Sequence, residues 1–162
     1  MLKIRVYTIG VYGSSAESFF KQLTDNNIDL FCDIRRRRAV RGSEYSFVNN
    51  KRLQKRLSEL NINYLHILNL SPTDDIRKIQ YAADKEKNIK QRIREELSDE
   101  FISLYKNKIL RNYDFQSLVD QLKFIGSKRA ALFCVEKNPS ACHRSLAAER
   151  LHQSYRFPVT HL

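Results

Sequence analysis

The 162-residue sequence is poor in glycine, proline and cysteine, and it has no long apolar run. Its four glycines and three prolines do not cluster, so no linker or repeat marks a boundary and we expect a single domain over residues 1–162. Three cysteines are too few for a secreted disulfide scaffold. No apolar run approaches about 18 residues, and no charged and apolar leader follows Met1. We therefore expect a cytoplasmic protein with reduced thiols and no membrane partner.

Positive charge is what the sequence has in excess. Lysine and arginine number 29 against 18 acidic residues, which gives a formal net charge of +11. Such an excess favours a polyanion as partner, so DNA or RNA is expected to bind. Apolar residues make up 42% of the chain, which is enough for a core that needs no disulfide.

Five short apolar runs are typical of strands, and the segments between them are typical of helices. Their order is β-α-β-α-β, a helical insertion over about residues 72–126, and then β-α-β. This order predicts a three-layer α/β/α fold with a mostly parallel central sheet of about five strands. The predicted strands are residues 4–9, 28–34, 62–67, 130–135 and 157–160.

Capping residues predict where the helices begin and end. Ser14 with Glu17 three residues later has the pattern of a capping box. Ser71 followed by Pro72 predicts the start of the insertion. The other boundary signals are Ser98 and Asp114 as N-caps and Gly126 as a stop.

Two apolar stripes predict the inner faces of further helices. Phe47 with Leu53 and Leu57 predicts one helix, and Ile89, Ile93 and Leu97 recur every four residues within a highly charged stretch.

Polar residues follow three of the predicted strands at their carboxyl ends, where parallel sheets form their sites. A turn after the fourth strand then leads into a helix. The residues in question are Thr8, Gly10, Asp33, Arg35, Cys134, Glu136, Cys142, His143 and Arg144.

The block Cys134-x-Glu136-x-x-Pro139-x-x-Cys142-His143-Arg144, with the strand ends Thr8-Ile9-Gly10 and Asp33-Ile34-Arg35, resembles the domain of unknown function 488 family. The resemblance spans nearly the whole chain. It implies a small α/β domain with these polar residues at one end of the sheet, and it brings no activity with it.

The chain departs from the family pattern at two places. Val11-Tyr12 stands where the family often has His-Ser, which puts in question any reaction that uses that histidine. Arg36, Arg37 and Arg38 stand where the family often has proline.

Cys142 is a candidate nucleophile, because a helix start and the neighbouring His143 and Arg144 favour a thiolate. The alternatives are a small residue in a tight turn and a disulfide with Cys134. A phosphatase loop is excluded, because the residues six positions beyond the two cysteines are Ser140 and Ala148 rather than arginine.

Acidic and basic groups at the sheet end suggest acid–base chemistry on an anion. Asp33 and Glu136 are candidate general bases or metal ligands, and Cys142 and His143 complete the candidate catalytic set. Alternatively, the charges form structural pairs, Asp33 or Glu136 with Arg144, or Glu136 with Arg35. The candidate anion-binding residues are Thr8, Gly10, Arg35 and Arg144.

No metal ligand and no cofactor is assigned. The spacing Cys134-x7-Cys142-His143 lacks the short paired pattern of structural zinc sites. Asp33 with Glu136 gives only a weak indication of magnesium.

The charge is concentrated in residues 35–56, where nine positive charges stand against Glu44 alone. Tyr45 and Phe47 lie between them, and interleaved aromatic rings suit stacking on exposed bases, although core packing is the alternative. The predicted nucleic-acid-binding residues are Arg36, Arg37, Arg38, Arg41, Lys51, Arg52 and Lys55.

These observations favour a nucleic-acid-associated enzyme that hydrolyses a phosphodiester or N-glycosidic bond. The alternatives are a non-catalytic nucleic-acid-binding module and an enzyme acting on a small anionic molecule.

Overall fold

The computed structural model describes residues 3–162, which form five β-strands and six α-helices. The strands are β1 Arg5–Ile9, β2 Leu30–Asp33, β3 Asn63–His66, β4 Arg129–Phe133 and β5 Val159–His161. The helices are α1 Ala16–Asp25, α2 Asn50–Glu59, α3 Asp74–Glu86, α4 Asp99–Leu104, α5 Phe115–Ile125 and α6 His143–Tyr155. Within residues 3–162, no helix is both long and apolar enough to cross a membrane.

The strands form one parallel sheet in the order β3-β2-β4-β1-β5. The central strand is β4, so Phe133 at its end lies opposite Ile9 of β1 on one side and Asp33 of β2 on the other. This register brings the carboxyl ends of β1, β2 and β4 side by side, which is the sheet edge where the sequence predicts the site.

Helices cover both faces of the sheet, which confirms the predicted three-layer α/β/α fold. Alternate strand residues face opposite layers, as the two-residue period of a strand requires. Phe31 and Phe133 pack with α1 and α2, whereas Leu30 and Leu132 pack with the helical insertion and α6. The insertion, α3 to α5, lies between β3 and β4 in the chain.

Two predicted helix starts are wrong because the capping serines serve the preceding turns. The Ser14 N–H donates to the Val11 carbonyl, so the N-cap of α1 is Ser15, whose partner in the capping box is Ser18.

Both the N–H and the hydroxyl of Ser71 donate to the Leu68 carbonyl. Helix α3 therefore starts at Asp74 after an N-cap at Thr73. The expected boundaries at Ser98, Asp114 and Gly126 are confirmed.

The predicted helix through Ile89, Ile93 and Leu97 is also wrong. Asn88 adopts a left-handed conformation with φ of 53° just after α3, and a single 3₁₀ turn, Gln91–Ile93, follows. Ile93 is 69% exposed, so the four-residue spacing of these apolar residues does not mark the buried face of a helix.

Phe47 does not belong to the helix that contains Leu53 and Leu57. It lies in a separate 3₁₀ turn, Ser46–Val48, that ends before α2.

Candidate active site

A cleft of about 1060 Å³ lies at the carboxyl ends of β1, β2 and β4. Its walls come from the loops that follow these strands and from residues 72–101 of the insertion. Two carboxylates, those of Asp74 and Glu136, line it. They face nine cationic side chains, Arg35, Arg36, Arg37, Arg41, Arg77, Lys78, Lys90, Arg92 and Arg94. The cleft is large enough for a small ligand or for part of a polymer, and its charge suits an anion.

The carboxylate of Asp33 holds Arg35 in place. Nε and Nη2 of Arg35 donate to Oδ1 and Oδ2 over 2.9 and 2.7 Å, and the Tyr64 hydroxyl donates to Oδ2 over 2.8 Å. The Arg35 backbone N–H adds a bond to Oδ1. Both members of the pair are buried, and neither Asp33 oxygen lacks a donor. Asp33 therefore orients Arg35 and does not line the cleft.

The Arg35 guanidinium keeps one nitrogen for a further partner. Its Nη2 also donates to the Val48 carbonyl over 2.9 Å, and Cζ, the central carbon of the guanidinium, lies 4.7 Å from the centre of the Phe133 ring. Nη1 is buried and has no hydrogen-bond partner in residues 3–162. Because a buried N–H without an acceptor is costly, an anion that enters the cleft beside Arg35 would satisfy it.

Cys134, Cys142 and His143 form a buried group that we call the thiol–imidazole cluster. Their two sulfur atoms and one imidazole nitrogen all lie within 4.8 Å of one another. The Cys142 Sγ lies 3.9 Å from Nδ1 of His143. Nε2 of His143 is 3.0 Å from the carbonyl of Ile34, which can only accept, so Nε2 carries a proton and Nδ1 faces the sulfur. All three side chains line the cleft.

The charges around the cluster favour a thiolate at Cys142. Burial opposes its ionisation, but the hydrogen bond from Cys134 and the positive charges of Arg144 and His143 outweigh burial and hold the pKa of Cys142 well below its ordinary value. The hydrogen bond to Cys142, followed by burial, raises the pKa of Cys134. Burial lowers the pKa of His143, but the thiolate beside it raises that pKa by more.

Glu136 presents one unbound carboxylate oxygen. Its Oε1 accepts from Nε2 of Gln91 over 3.1 Å and from Nη2 of Arg94 over 3.0 Å. Its Oε2 is buried without a hydrogen-bond partner in the described part of the chain. Burial, and then the nearby Cys142, raise the pKa of Glu136, and Arg94 and His143 offset part of the rise. A buried carboxyl group with a free oxygen and a raised pKa suits proton transfer.

Arg94 attaches the insertion to this carboxylate. It is 5% exposed, donates to Asp84 over 2.6 Å as well as to Glu136, and reaches the Ala141 carbonyl. Asp84 accepts from Gln80, whose Oε1 accepts from the N–H of Ser98. Our sequence reasoning missed Arg94, Asp84 and Gln80. They lie among many other charged residues, and no local signal separates them from a solvated surface.

Arg144 is buried beneath the turn that follows β4. Its Nη1 and Nη2 donate to the carbonyls of Glu136 and Lys137 over 2.6 and 3.1 Å. Gly10 lies against the same turn, where a Cβ atom would meet the Glu136 carbonyl oxygen at 1.9 Å. Neither residue is among those that line the cleft.

Thr8 also lies away from the cleft wall. It is fully buried in β1, and its hydroxyl is hydrogen-bonded to Nδ1 of His161 over 2.7 Å. Burial and Arg144 lower the pKa of His161.

The expected ion pairs of Asp33 or Glu136 with Arg144, and of Glu136 with Arg35, are wrong. Strand β2 ends at Asp33, so Arg35 turns back onto its own neighbour. The insertion supplies Arg94 to Glu136.

The predicted nucleic-acid-binding residues divide between different surfaces. Arg36, Arg37 and Arg41 line the cleft, while Arg38 donates to Asn50. Lys51 and Lys55 are exposed on α2 outside the lining of the cleft. Arg52 lines a separate pocket of about 540 Å³ beside α1.

Tyr45 and Phe47 pack in the core and are not free stacking platforms, so that interpretation is wrong. Tyr45 is 6% exposed, and its hydroxyl accepts from the N–H of Gly13. Phe47 packs on Phe19 and Phe20. Tyr12 and Tyr81 line the cleft instead.

The thiol–imidazole cluster is also the one group of three or more potential metal donors that residues 3–162 offer. Asp33 and Glu136 do not join such a group, and each already bonds to an arginine. All three cysteines are free thiols.

The comparisons with known proteins identify a family. Searches of curated proteins and of solved structures find no match. A scan against protein families matches residues 15–151 to "Domain of unknown function DUF488". This match covers most of the chain and includes Asp33, Arg35 and the whole block from Cys134 to Arg144. The chain therefore belongs to the domain of unknown function DUF488 family.

Proposed function

We propose that this protein is an enzyme that binds nucleic acid by its phosphates in the basic cleft and hydrolyses a phosphodiester or N-glycosidic bond there. The observation that carries the proposal is that the arginine-rich loop after β2 and the turn at Cys142 open onto one cleft. Had they lain on opposite faces, the basic loop could not have presented a substrate to the reactive groups.

The phosphate would be held at Arg35. Its guanidinium is fixed by Asp33 and keeps Nη1 free of partners in residues 3–162. Preorganised donors of this kind stabilise charge without reorganisation during the reaction. Arg37 and Arg41, which are exposed on the rim, would contact neighbouring phosphates.

Glu136 would transfer the proton, and the thiol–imidazole cluster would supply the attacking group. Glu136 Oε2 is free to exchange a proton, while Oε1 is held by Arg94 and Gln91. General acid–base catalysis typically raises a rate about 10²–10⁴-fold, so replacing this carboxylate should give a large and measurable loss of turnover.

The binding test uses two matched double variants and a fluorescent single-stranded oligonucleotide. Arg37→Ala with Arg41→Ala removes two cations that line the cleft, and Lys51→Ala with Lys55→Ala removes two exposed cations outside it. The slope of log affinity against log salt should fall by about 1.4 for the first pair, because each contact with single-stranded nucleic acid contributes about 0.7. The second pair should leave the slope unchanged. Equal effects of the two pairs, or binding insensitive to salt, would overturn the assignment of the cleft.

The turnover test uses Glu136→Gln, which keeps the side-chain shape. We expect hydrolysis of the oligonucleotide to fall at least about 100-fold while affinity stays within about twofold of the unchanged chain. The product distinguishes the bond, because phosphodiester cleavage shortens the strand and N-glycosidic cleavage releases a free base. Turnover confined to mononucleotides would instead identify an enzyme for small anions.

A non-catalytic nucleic-acid-binding module is the second candidate function. It is favoured by the two buried ion-pair systems, Asp33 with Arg35 and Arg94 with its two carboxylates, because such pairs also occur as purely structural networks. Salt-dependent binding without turnover on DNA or RNA would support this candidate.

A further inference from the structure

The thiol–imidazole cluster has the donor chemistry of a metal site. Two cysteine sulfurs and one histidine nitrogen are soft and borderline ligands, which select zinc over magnesium or calcium. Cys134 follows β4, while Cys142 and His143 open α6, so the fold joins donors that lie eight residues apart in the chain. We propose that Cys134, Cys142 and His143 bind one zinc ion.

The distances suit tetrahedral zinc. Bond lengths of about 2.3 Å to sulfur and about 2.0 Å to nitrogen place tetrahedral S and N ligands roughly 3.5 Å apart. The Cys142 Sγ and the His143 Nδ1 are 3.9 Å apart, and all donor atoms lie within 4.8 Å of one another. Small side-chain rotations are therefore enough to close the site around one ion.

The contacts around the histidine ligand also fit a zinc site. Nε2 of His143 donates to the Ile34 carbonyl, which fixes the ring with Nδ1 toward the sulfurs. Histidines that ligate metals typically donate their other ring N–H to a carbonyl or carboxylate in this way. The Tyr105 ring and the imidazole pack in a T-shaped arrangement with a centroid separation of 5.4 Å, which further restricts rotation of the imidazole.

The charges balance when the ion is bound. Two thiolates and one zinc ion sum to zero, so the bound ion leaves no net charge on the buried cluster. Zinc would therefore remove the cost of burying thiolates at a site where both cysteines are less than one-tenth exposed.

Three protein ligands leave the fourth position of a tetrahedron for water, as in catalytic zinc sites. The role of the ion rests on the proposed function. When bound, the ion would supply an activated water whose oxygen bonds to phosphorus. The bond from phosphorus to the leaving oxygen would break, and that oxygen would take up the proton that the water gives up.

The zinc content of the purified full chain tests the site, with Cys32 as the matched control. Cys32 is a free, buried thiol in β2 and does not belong to the cluster. We expect one zinc ion per chain in the unchanged protein and in Cys32→Ala. The ion should be lost in Cys134→Ser, Cys142→Ser and His143→Asn.

Cobalt(II) gives a second readout that needs no variant. Added to the metal-free folded chain, it should produce thiolate-to-cobalt charge-transfer absorption and the visible bands of tetrahedral cobalt, and zinc should then displace it. A chain that lacks zinc and gives no such absorption would overturn the site, as would zinc retained by Cys142→Ser.

The same measurements separate this inference from the proposed function. Zinc bound at the cluster in a chain that neither binds nor cleaves nucleic acid supports the metal site and overturns the proposed function. Hydrolysis by a chain that contains no zinc and gives no cobalt absorption supports the proposed function and overturns the metal site.

Discussion

Arg94 donates from Nη2 to Oε1 of Glu136 over 3.0 Å, although 42 residues separate them in the chain. One comes from the insertion between β3 and β4, and the other follows the central strand. The insertion is therefore a structural part of the candidate active site, because its arginine fixes one oxygen of the carboxylate and leaves the other unbound.

Replacing Arg94 should destabilise the fold strongly. Arg94→Ala leaves the buried carboxylates of Asp84 and Glu136 without their cation, and breaking such a pair costs about 3–5 kcal/mol. Urea denaturation measures the loss. The control is Arg92→Ala, where an exposed cation pairs with Glu44 and a loss of about 1 kcal/mol is expected. Equal losses for the two variants would show that the buried network does not stabilise the fold.

Gly10→Ala should disturb the turn after β4. A Cβ atom at Gly10 would lie 1.9 Å from the Glu136 carbonyl oxygen and 3.1 Å from Nη2 of Arg144, so the turn must move. We expect a loss of stability of about 3 kcal/mol or more. At Gly42 there is open space and a φ of +80°, so Gly42→Ala should cost only about 1–2 kcal/mol of backbone strain. Thermal or urea unfolding of both variants measures the two losses. A smaller loss of stability for Gly10→Ala than for Gly42→Ala would contradict the close contact between Gly10 and the turn after β4.

Tyr64→Phe should lower the stability of the fold, because it removes a hydrogen bond to the Asp33 carboxylate. The hydroxyl donates to Oδ2 of a fully buried carboxylate, and a hydrogen bond to a charged group contributes about 1.5–3 kcal/mol. Tyr81→Phe is the control, because that hydroxyl accepts from Arg77 on an exposed helix face. Chemical denaturation of the pair should show a clear loss only for Tyr64→Phe.

Stability should fall in alkali between about pH 9 and pH 12. Burial raises the pKa of Cys32 from 9.0 to about 12, and burial also raises the pKa values of Tyr64 and Tyr113 from 10.0 to about 12. The unfolded chain releases these protons at lower pH than the folded chain, so the folded state binds more protons in this window. The stabilisation that these three groups contribute is therefore fully present below their unfolded-state pKa values, and it is lost as the pH rises through the window.

Urea denaturation at a series of pH values across this window measures the effect. Cys32→Ala with Tyr113→Phe removes two of the three groups and should flatten the decline. An equally steep decline in the double variant would assign the alkaline loss to other groups.

Much of the sheet could be predicted from the sequence, because each strand is a short apolar run with its own boundary signals. The position of β4 between β1 and β2 could not, since pairing between distant strands leaves no local pattern. The same distinction holds at the site. Arg35, Glu136, Cys142 and His143 follow strand ends and could be grouped in advance, and the structure brings them to one cleft.

Arg94, by contrast, reaches the cleft from a segment whose apolar spacing indicated a helix. Asn88 adopts a left-handed backbone conformation just after α3, so the next residues turn toward Glu136 and do not form the predicted helix. The sequence also assigns no metal ligand. The spacing rule for structural zinc sites describes paired ligands within one short loop, whereas Cys134 and Cys142 lie at opposite ends of the turn between β4 and α6.

The central position of β4 has a consequence for folding during synthesis. The strands β1 and β2 share no ladder and are joined only through β4, which begins at Arg129. Until that segment leaves the ribosome, the nascent chain cannot close its sheet, and the strand pairs that it then forms join residues at least 100 positions apart. Such non-local pairing predicts slow, late folding. Because the same segment continues directly into Glu136 and Cys142, the candidate active site should assemble only late in folding.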